Sequence, residues 1–433
     1  MIVGAGFAGL SAARTLAHSE CDVLIIDRNN YHTFLPLLYQ VAAAEVAPED
    51  IIYPVRAILR KIPHEHFCLG EVTGLDPIAK RVSLDGHYVS FDFLVLSIGS
   101  VPHFYSVPGA GDHAFLLRTL EQGIGLRNRI LSLFERAVHE RDADQRKRML
   151  TIVIIGGGPT GVEFAGAIAE LVRGPLRKDF RQIDFNEVKV ILLEGQDGLL
   201  PGLPRNLCEY AEQRLRSMGI DVRLKTKVRE VSSSAVHVEQ GESIQTECVV
   251  WCAGVRGDPL AESWGLPTGR DGRVAVLPTL QAPGYPDVYP VGDIARVDHE
   301  GHPLPMIAPV AVQQGKTAAV NILRQVNGQS PLPFVYHDPG TMATIGRNKA
   351  VAKLKFKSFT GFPAWIIWLT VHLLKLIGFR NRLVVSINWA WDYFFYERTS
   401  RVIIPADQPP GVTENSSHGI ISSGNRENNR NMA

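Results

Sequence analysis

Apolar runs broken by glycine turns recur along this chain, and their spacing predicts strands followed by helices. Met1-Ile2-Val3 enters Gly4-Ala5-Gly6-Phe7-Ala8-Gly9, and residues 10–17 then read as a helix. Residues 23–26 form a short apolar strand ending at Asp27. An irregular stretch at 31–54 precedes a second apolar strand at 93–98, stopped by Gly99. Residues 120–148 read as helix with a strongly charged outer face. The opening pattern then returns: apolar 152–155, Gly156-Gly157-Gly158-Pro159-Thr160-Gly161, and a helix over 162–172. A strand at 188–193 ends at Glu194, and 248–252 repeats the strand-then-glycine stop at Gly254. Val288-Tyr289-Pro290-Val291 runs into Gly292-Asp293, with a helix expected over 310–323. Strands alternating with helices predict an α/β fold of parallel sheets covered on both faces. The two glycine loops lie 152 positions apart (156 − 4), which predicts two Rossmann-like units.

The loops carry the chemistry. Gly4, Gly6 and Gly9 have the spacing of a dinucleotide-binding turn: one glycine for the bend, one for close approach of backbone to pyrophosphate, one for helix–strand packing. The helix that follows offers free N–H groups and a positive dipole end to phosphate. Asp27, 23 residues after Gly4, stands at a strand end where a carboxylate meets ribose hydroxyls. Gly156, Gly158 and Gly161 repeat the turn, with Glu194 as the acid 38 residues on; a polar insertion at 173–186 accounts for the longer spacing. No Arg or Lys follows Glu194 until Arg205, so NADH is expected over NADPH, whose 2′-phosphate the carboxylate would repel.

Composition narrows the class. Charged residues make up 21% and the formal net charge is +1, which gives no electrostatic signal for nucleic acid. The five cysteines are scattered, no disulfide framework or metal-ligand spacing is visible, and Cys248 and Cys252 read as small core residues. No signal peptide precedes the first strand, which starts so abruptly that an upstream start is expected.

These residues resemble the type II NADH:quinone oxidoreductases. The resemblance rests on 1–10, on Phe34-Leu35-Pro36-Leu37-Leu38-Tyr39-Gln40, on Gly156 to Glu163, on Tyr289 to Asp293 and on Ala311-Val312-Gln313-Gln314-Gly315. It implies a flavoprotein with two dinucleotide domains: FAD held by 1–117 and 275–330, NADH by 118–274. It further implies that Gly4, Gly6, Gly9, Asp27, Gly99, Gly292 and Asp293 bind FAD, and that Gly156, Gly158, Gly161 and Glu194 bind NADH. Glu163 is the candidate proton relay. Gln313 matches the last glutamine of the family's quinone-site motif, although Pro309 stands where the first glutamine belongs. The implied reaction is hydride transfer from NADH to FAD and two-electron reduction of a membrane quinone, without proton pumping. Disulfide-reducing and sulfide:quinone relatives need cysteines beside the flavin, and 31–54 contains none.

The remaining signal is at the C-terminus. Residues 339–391 contain no Asp or Glu, eight Arg or Lys, and four of the six tryptophans. Such a segment suits an anionic lipid surface. The apolar run 362–379 is short for a span and carries His372 and Lys375, so a helix lying in the interface is expected. A second helix over 383–396 would place Trp389, Tyr393 and Tyr396 near one face. The expected protein is therefore peripheral to the membrane on its cytoplasmic side, with 331–404 as the membrane-surface module and 405–433 as a disordered tail. A buried homodimer helix and a true span are the alternatives for 362–379. Two rival functions share both loops: a flavin reductase serving a ferredoxin or rubredoxin, and a redox-sensing scaffold.

Overall fold

A computed structural model describes residues 1–404 apart from 18, 61, 63, 356, 396 and 399. The segment 405–433, read as a disordered tail, lies outside the described residues, as does Tyr396. Strand β1 (Ile2–Val3) leads into helix α1 (Phe7–Leu16), which begins inside the glycine loop, earlier than the apolar pattern placed it. Glycine's poor helix propensity hides that start from sequence. Then come β2 (Val23–Asp27), a short helix α2 (Leu38–Ala42) within the stretch read as irregular, β3 (Glu65–Leu69), β4 (Leu94–Leu96) and β5 (Phe115–Leu116).

The helix expected over 120–148 is two helices. Helix α3 (Leu120–His139) starts at Thr119, whose hydroxyl and the Gln122 side chain form a reciprocal capping box. It stops before Asp142, whose carboxylate accepts from the amides of Asp144 and Gln145 and starts α4 (Ala143–Met149). The second unit follows: β6 (Thr151–Ile155), α5 (Pro159–Leu171), β7 (Lys189–Leu193), β8 (Asp221–Arg223) and β9 (Cys248–Trp251); β10 (Val288–Pro290) comes after it. The insertion at 173–186 is not merely polar. A π-helical turn at Val172–Leu176 prolongs α5, and Leu176, Phe180 and Ile183 are buried, with Phe180 5.6 Å from Phe134 between ring centroids.

Two parallel five-stranded sheets result, in the orders β10-β4-β1-β2-β3 and β5-β9-β6-β7-β8. In each, the strand before the glycine loop is central. All residues of β6 and β9 are buried, as a parallel sheet covered on both faces requires. Each unit also carries a three-stranded antiparallel meander, at 72–90 and 228–245, before its fourth strand. The first sheet takes its edge strand β10 from beyond the second unit, and the second takes β5 from before its own loop. The chain returns through α6 (Ala308–Val326), which packs on α1 so closely that a Cβ at Gly315 would lie 2.1 Å from the Ala8 carbonyl oxygen.

An antiparallel sheet of β11 (Thr341–Thr344), β12 (Ala350–Leu354) and β13 (Lys357–Thr360) then leads to α7 (Gly361–Lys375) and α8 (Phe379–Phe395). The last two form a hairpin, with Trp368 facing Trp389 and Trp365 stacked on Tyr393. Trp368, Leu376 and Val385 join the same core cluster as α3, α5 and the second sheet.

Candidate active site

The two glycine loops are built alike, atom for atom. Gly4 has φ +99° and Gly156 φ +108°, values that favour glycine. A Cβ at Gly9 would lie 1.9 Å from the Gly4 carbonyl oxygen, and one at Gly161 1.9 Å from that of Gly156. The second-position amide is held by the acid in both: Ala5 N–H donates to Asp27 Oδ2 at 2.6 Å, and Gly157 N–H to Glu194 Oε2 at 2.6 Å. The other carboxylate oxygens accept from Asn29 and Gln196, both at 2.7 Å. Each acid thus braces its own loop, and its remaining lone pairs are left for a ribose.

Gly6 and Gly158 differ from the other glycines. A Cβ at either would meet nothing within 4 Å, and their φ is negative. No protein atom explains glycine there, so the open space above each helix N-terminus is shaped for a group that must approach the backbone closely. That space fits a pyrophosphate. The Glu194 site has one feature that chain order concealed: the Lys227 stem lies 3.3 Å from where a Gly195 Cβ would stand, so a lysine from a distant segment packs beside Gly195.

A cavity of about 1390 Å³ starts at the first loop, beyond the roughly 300–1,000 Å³ of an ordinary small-molecule pocket. Asp27, Gly99, Gly292, Asp293 and Gln313 line it, and so do Pro159, Thr160 and Glu163 of α5. One cavity therefore joins the two units. Asp293 Oδ2 accepts from Ser100 Oγ at 2.6 Å and from the Arg118 guanidinium at 3.3 Å. Arg118 also reaches Ser100 Oγ at 2.5 Å, while its Nε is buried without a partner among the described residues. Arg118 lines the cavity beside Asp293, and a guanidinium there suits a phosphate-bearing ligand. Ser100 and Arg118 were missed in the sequence, because nothing in Leu116-Leu117-Arg118-Thr119 separates a ligand-facing arginine from a solvated one.

Gln313 lines the cavity with both ends of its amide engaged: Nε2 donates to the His337 carbonyl at 2.9 Å and Oε1 accepts from the His337 amide at 3.0 Å. Its neighbour Gln314 is buried and accepts from the Gly292 amide at 2.7 Å, fixing the turn beside Asp293. Glu163, on the first turns of α5, is buried between the two units and the C-terminal helices. Its Oε1 accepts from the Thr344 amide at 3.3 Å and Trp368 Nε1 at 3.2 Å. Burial pushes its carboxyl up to about 8, so it is a neutral acid at pH 7.

Residues 1–315 match the pyridine nucleotide-disulphide oxidoreductase family, and 339–398 match the NDH2 C-terminal domain. The chain is 38% identical over 413 residues to a type II NADH:quinone oxidoreductase of Mycobacterium tuberculosis, covering 92% of this chain and 88% of that one. It belongs to the type II NADH:quinone oxidoreductases. A Staphylococcus aureus type II NADH:quinone oxidoreductase is 31% identical, over 84% of this chain and 91% of its own. The fold is that of Plasmodium falciparum NDH2 solved with NADH: TM-score 0.85 at 17% identity, over 93% and 99% of the two chains.

Despite the matched family's description, this type II oxidoreductase has no disulfide. All five cysteines are free, and burial pushes Cys248 and Cys252 up to about 12, which keeps both as thiols. Behind Glu163 lies a second, small cavity of about 90 Å³ lined by Glu45, Glu170, Asp392 and Arg398 among others. Burial pushes Glu45 and Asp392 each up to about 7. Arg398 ties the cluster together, donating to the carbonyls of Ala43 at 2.8 Å and Ala167 at 2.9 Å and to Glu45 Oε1 at 2.6 Å. None of this ion cluster was foreseen from the sequence, since its members come from three separate segments.

Proposed function

We propose that this type II oxidoreductase holds FAD along the first loop and NADH at the second, oxidises NADH and reduces a membrane quinone without pumping protons. Within that reading, 1–117 and 275–330 form the FAD domain and 118–274 the NADH domain, apart from β5 (Phe115–Leu116), which pairs into the NADH-side sheet. The observation that carries it is the single cavity joining the first loop to Glu163 of the second unit. Gly4, Gly6, Gly9 and Asp27 would hold the adenosine and pyrophosphate. Gly99, Gly292 and Asp293 would hold the ribityl part, with Ser100 and Arg118 orienting Asp293. Gly156, Gly158, Gly161 and Glu194 would hold NADH. FAD, when bound, supplies the hydride acceptor and the two-electron donor. The balance is NADH + H⁺ + quinone → NAD⁺ + quinol, so the protein must provide one proton from solvent per turnover. Glu163, a buried neutral acid on the cavity wall, holds that proton; Gln313, braced on His337, shapes the quinone end.

The C-terminal hairpin supports docking on an anionic membrane. Phe362, Ile366, Phe379, Leu383, Ile387 and Trp391 of α7 and α8 are exposed, on a segment with eight bases and no acid from 339 to 391. Among the described residues no helix is long and apolar enough to cross a membrane. We place this surface on the cytoplasmic face, where NADH is supplied. A homodimer through the same face is the competing use. Sedimentation with vesicles of anionic lipid, against neutral vesicles, tests the first; light scattering without lipid tests the second. Steady-state turnover of NADH with a short-chain quinone, against a ferredoxin or rubredoxin, tests the activity. Faster reduction of the iron–sulfur carrier would overturn the quinone reading, and negligible turnover with every acceptor would favour a scaffold.

A further inference from the structure

His372 lies in the last turn of α7 and lines the large cavity alongside Val371, Leu374 and Lys375. Its Nδ1 is 2.8 Å from the Trp368 carbonyl oxygen. A carbonyl only accepts, so Nδ1 carries the proton, and the neutral ring then presents Nε2 as a bare acceptor. Among the described residues none donates to that nitrogen. The ring is fixed from both sides. It stacks on Trp368 with centroids 4.1 Å apart at 22°, and Phe34 meets it edge-on at 6.3 Å. Burial, and to a smaller degree nearby Lys375, pulls the imidazole down to about 4 against the opposing pull of the Trp368 carbonyl, so it stays uncharged across the physiological range.

Trp368 links this histidine to the acid. Its indole N–H donates to Glu163 Oε1 while its face carries the imidazole. One cavity wall therefore offers a neutral acid that can donate and a neutral base that can only accept, two groups pushed in opposite directions by one buried setting. A quinone has two carbonyl oxygens and no donor. A quinol has two hydroxyls, each able to donate. An acceptor-only nitrogen gains nothing from the carbonyl and gains a hydrogen bond from the hydroxyl, so its contact forms only as the ring is reduced.

We propose that His372 is a positioning and product-recognising residue of the quinone end, accepting a hydrogen bond at Nε2 from the hydroxyl of bound quinol. The proposal rests on the reading that the quinone enters this cavity. Reduction adds two electrons and two protons. The hydride supplied by NADH accounts for the electron pair and for the proton on the oxygen remote from Glu163, whose hydroxyl then donates to His372. Glu163 gives the second proton to the other oxygen and is recharged from solvent.

The test uses the FAD-loaded enzyme and three soluble probes: a short-chain benzoquinone, its quinol and the dimethyl ether of that quinol, which keeps the shape and loses both donors. Dissociation constants come from quenching of tryptophan fluorescence, with competition among the three. The native enzyme should bind the quinol roughly three- to tenfold tighter than the ether, the ratio one neutral hydrogen bond supplies. His372→Phe, which keeps a ring against Trp368, should bring the ratio to about one, and His372→Gln, which restores an acceptor, should recover part of it. An unchanged ratio in His372→Phe, with the quinone still competing, would overturn the role of His372 alone. Failure of the benzoquinone to compete at all in the native enzyme would overturn the quinone-site reading and the proposal with it. Nitrogen-15 spectra of the imidazole give a readout independent of binding: protonation at Nδ1 throughout about pH 5.5 to 8 is expected, and a proton on Nε2 would refute the assignment.

Discussion

Replacing Glu163 by glutamine separates the cost of the buried acid from its use. In the fold, burial raises this carboxyl from 4.5 to about 8; unfolded, it titrates near its ordinary value. Below about pH 4.5 the group is neutral in both states and the fold has its full stability. Between about 4.5 and 8 only the unfolded chain gives up its proton, so stability falls as pH rises, and the loss is complete once the folded acid ionises. The difference between 4.5 and about 8, at ~1.36 kcal/mol per pH unit, corresponds to on the order of 5 kcal/mol. For 433 residues at ~2.1 cal/mol/K each, the unfolding entropy is ~0.9 kcal/mol/K, so the effect on Tm is roughly 5–6 °C. Glutamine keeps an oxygen for the Thr344 amide and Trp368 Nε1 and never ionises. Calorimetric Tm for the variant and the native enzyme should therefore coincide near pH 4.5 and diverge by about 5 °C near pH 8.5, the variant being the more stable. Glu45 and Asp392 titrate in both proteins and largely cancel in the difference. Parallel Tm curves would show that Glu163 is not held as a neutral acid, and the reasoning from burial would fail. Quinone reduction by the variant should fall by about 10²–10⁴, with reduction of the bound flavin by NADH unaffected.

Three further outcomes follow from contacts already described. Gly6→Ala should fold with native Tm yet purify without yellow colour, because its Cβ meets no protein atom and fills only the pyrophosphate space, whereas Gly9→Ala, 1.9 Å from a backbone oxygen, should fail to fold stably; flavin absorbance and calorimetry together distinguish them. Glu194→Ser should raise the NADPH-to-NADH ratio of kcat/KM by roughly 10–100-fold, since it removes the repelling carboxylate and leaves the nearby Lys227 for a 2′-phosphate; an unchanged ratio would mean that Lys227 does not reach it. Arg398→Leu should cost about 3–5 kcal/mol at pH 8 by leaving Glu45 and Glu170 without their cation, and less near pH 5, where Glu45 is protonated; denaturant midpoints at the two pH values check the sign.

The duplicated architecture was legible because its signals are local. A strand, a glycine bend and a helix occupy adjacent positions; the positive φ at Gly4 and Gly156 is a local bend, and the carbonyl that demands Gly9 or Gly161 stands five residues back. The acids Asp27 and Glu194 were equally visible, each ending an apolar run. The antiparallel meanders at 72–90 and 228–245 were not, since short mixed strands carry little periodicity of their own. The insertion at 173–186 read as polar because its large buried residues, Leu176, Phe180 and Ile183, are spaced singly among polar ones.

Glutamate 163 shows where local reasoning stops. Its place in the loop motif marked it as a candidate, yet its neutral state depends on burial under distant segments, with Glu45 pushing the same way and the Thr344 amide and the Trp368 N–H, 205 positions away, pulling against it. Lys227 beside Gly195, Arg118 beside Asp293 and the tautomer of His372 are of the same kind. Turn geometry and hydrophobic period are written into neighbouring residues, so the sequence by itself determined the two nucleotide cradles and their order. Desolvation and charge pairing depend on which distant side chains share a small volume, and only the tertiary structure decided those.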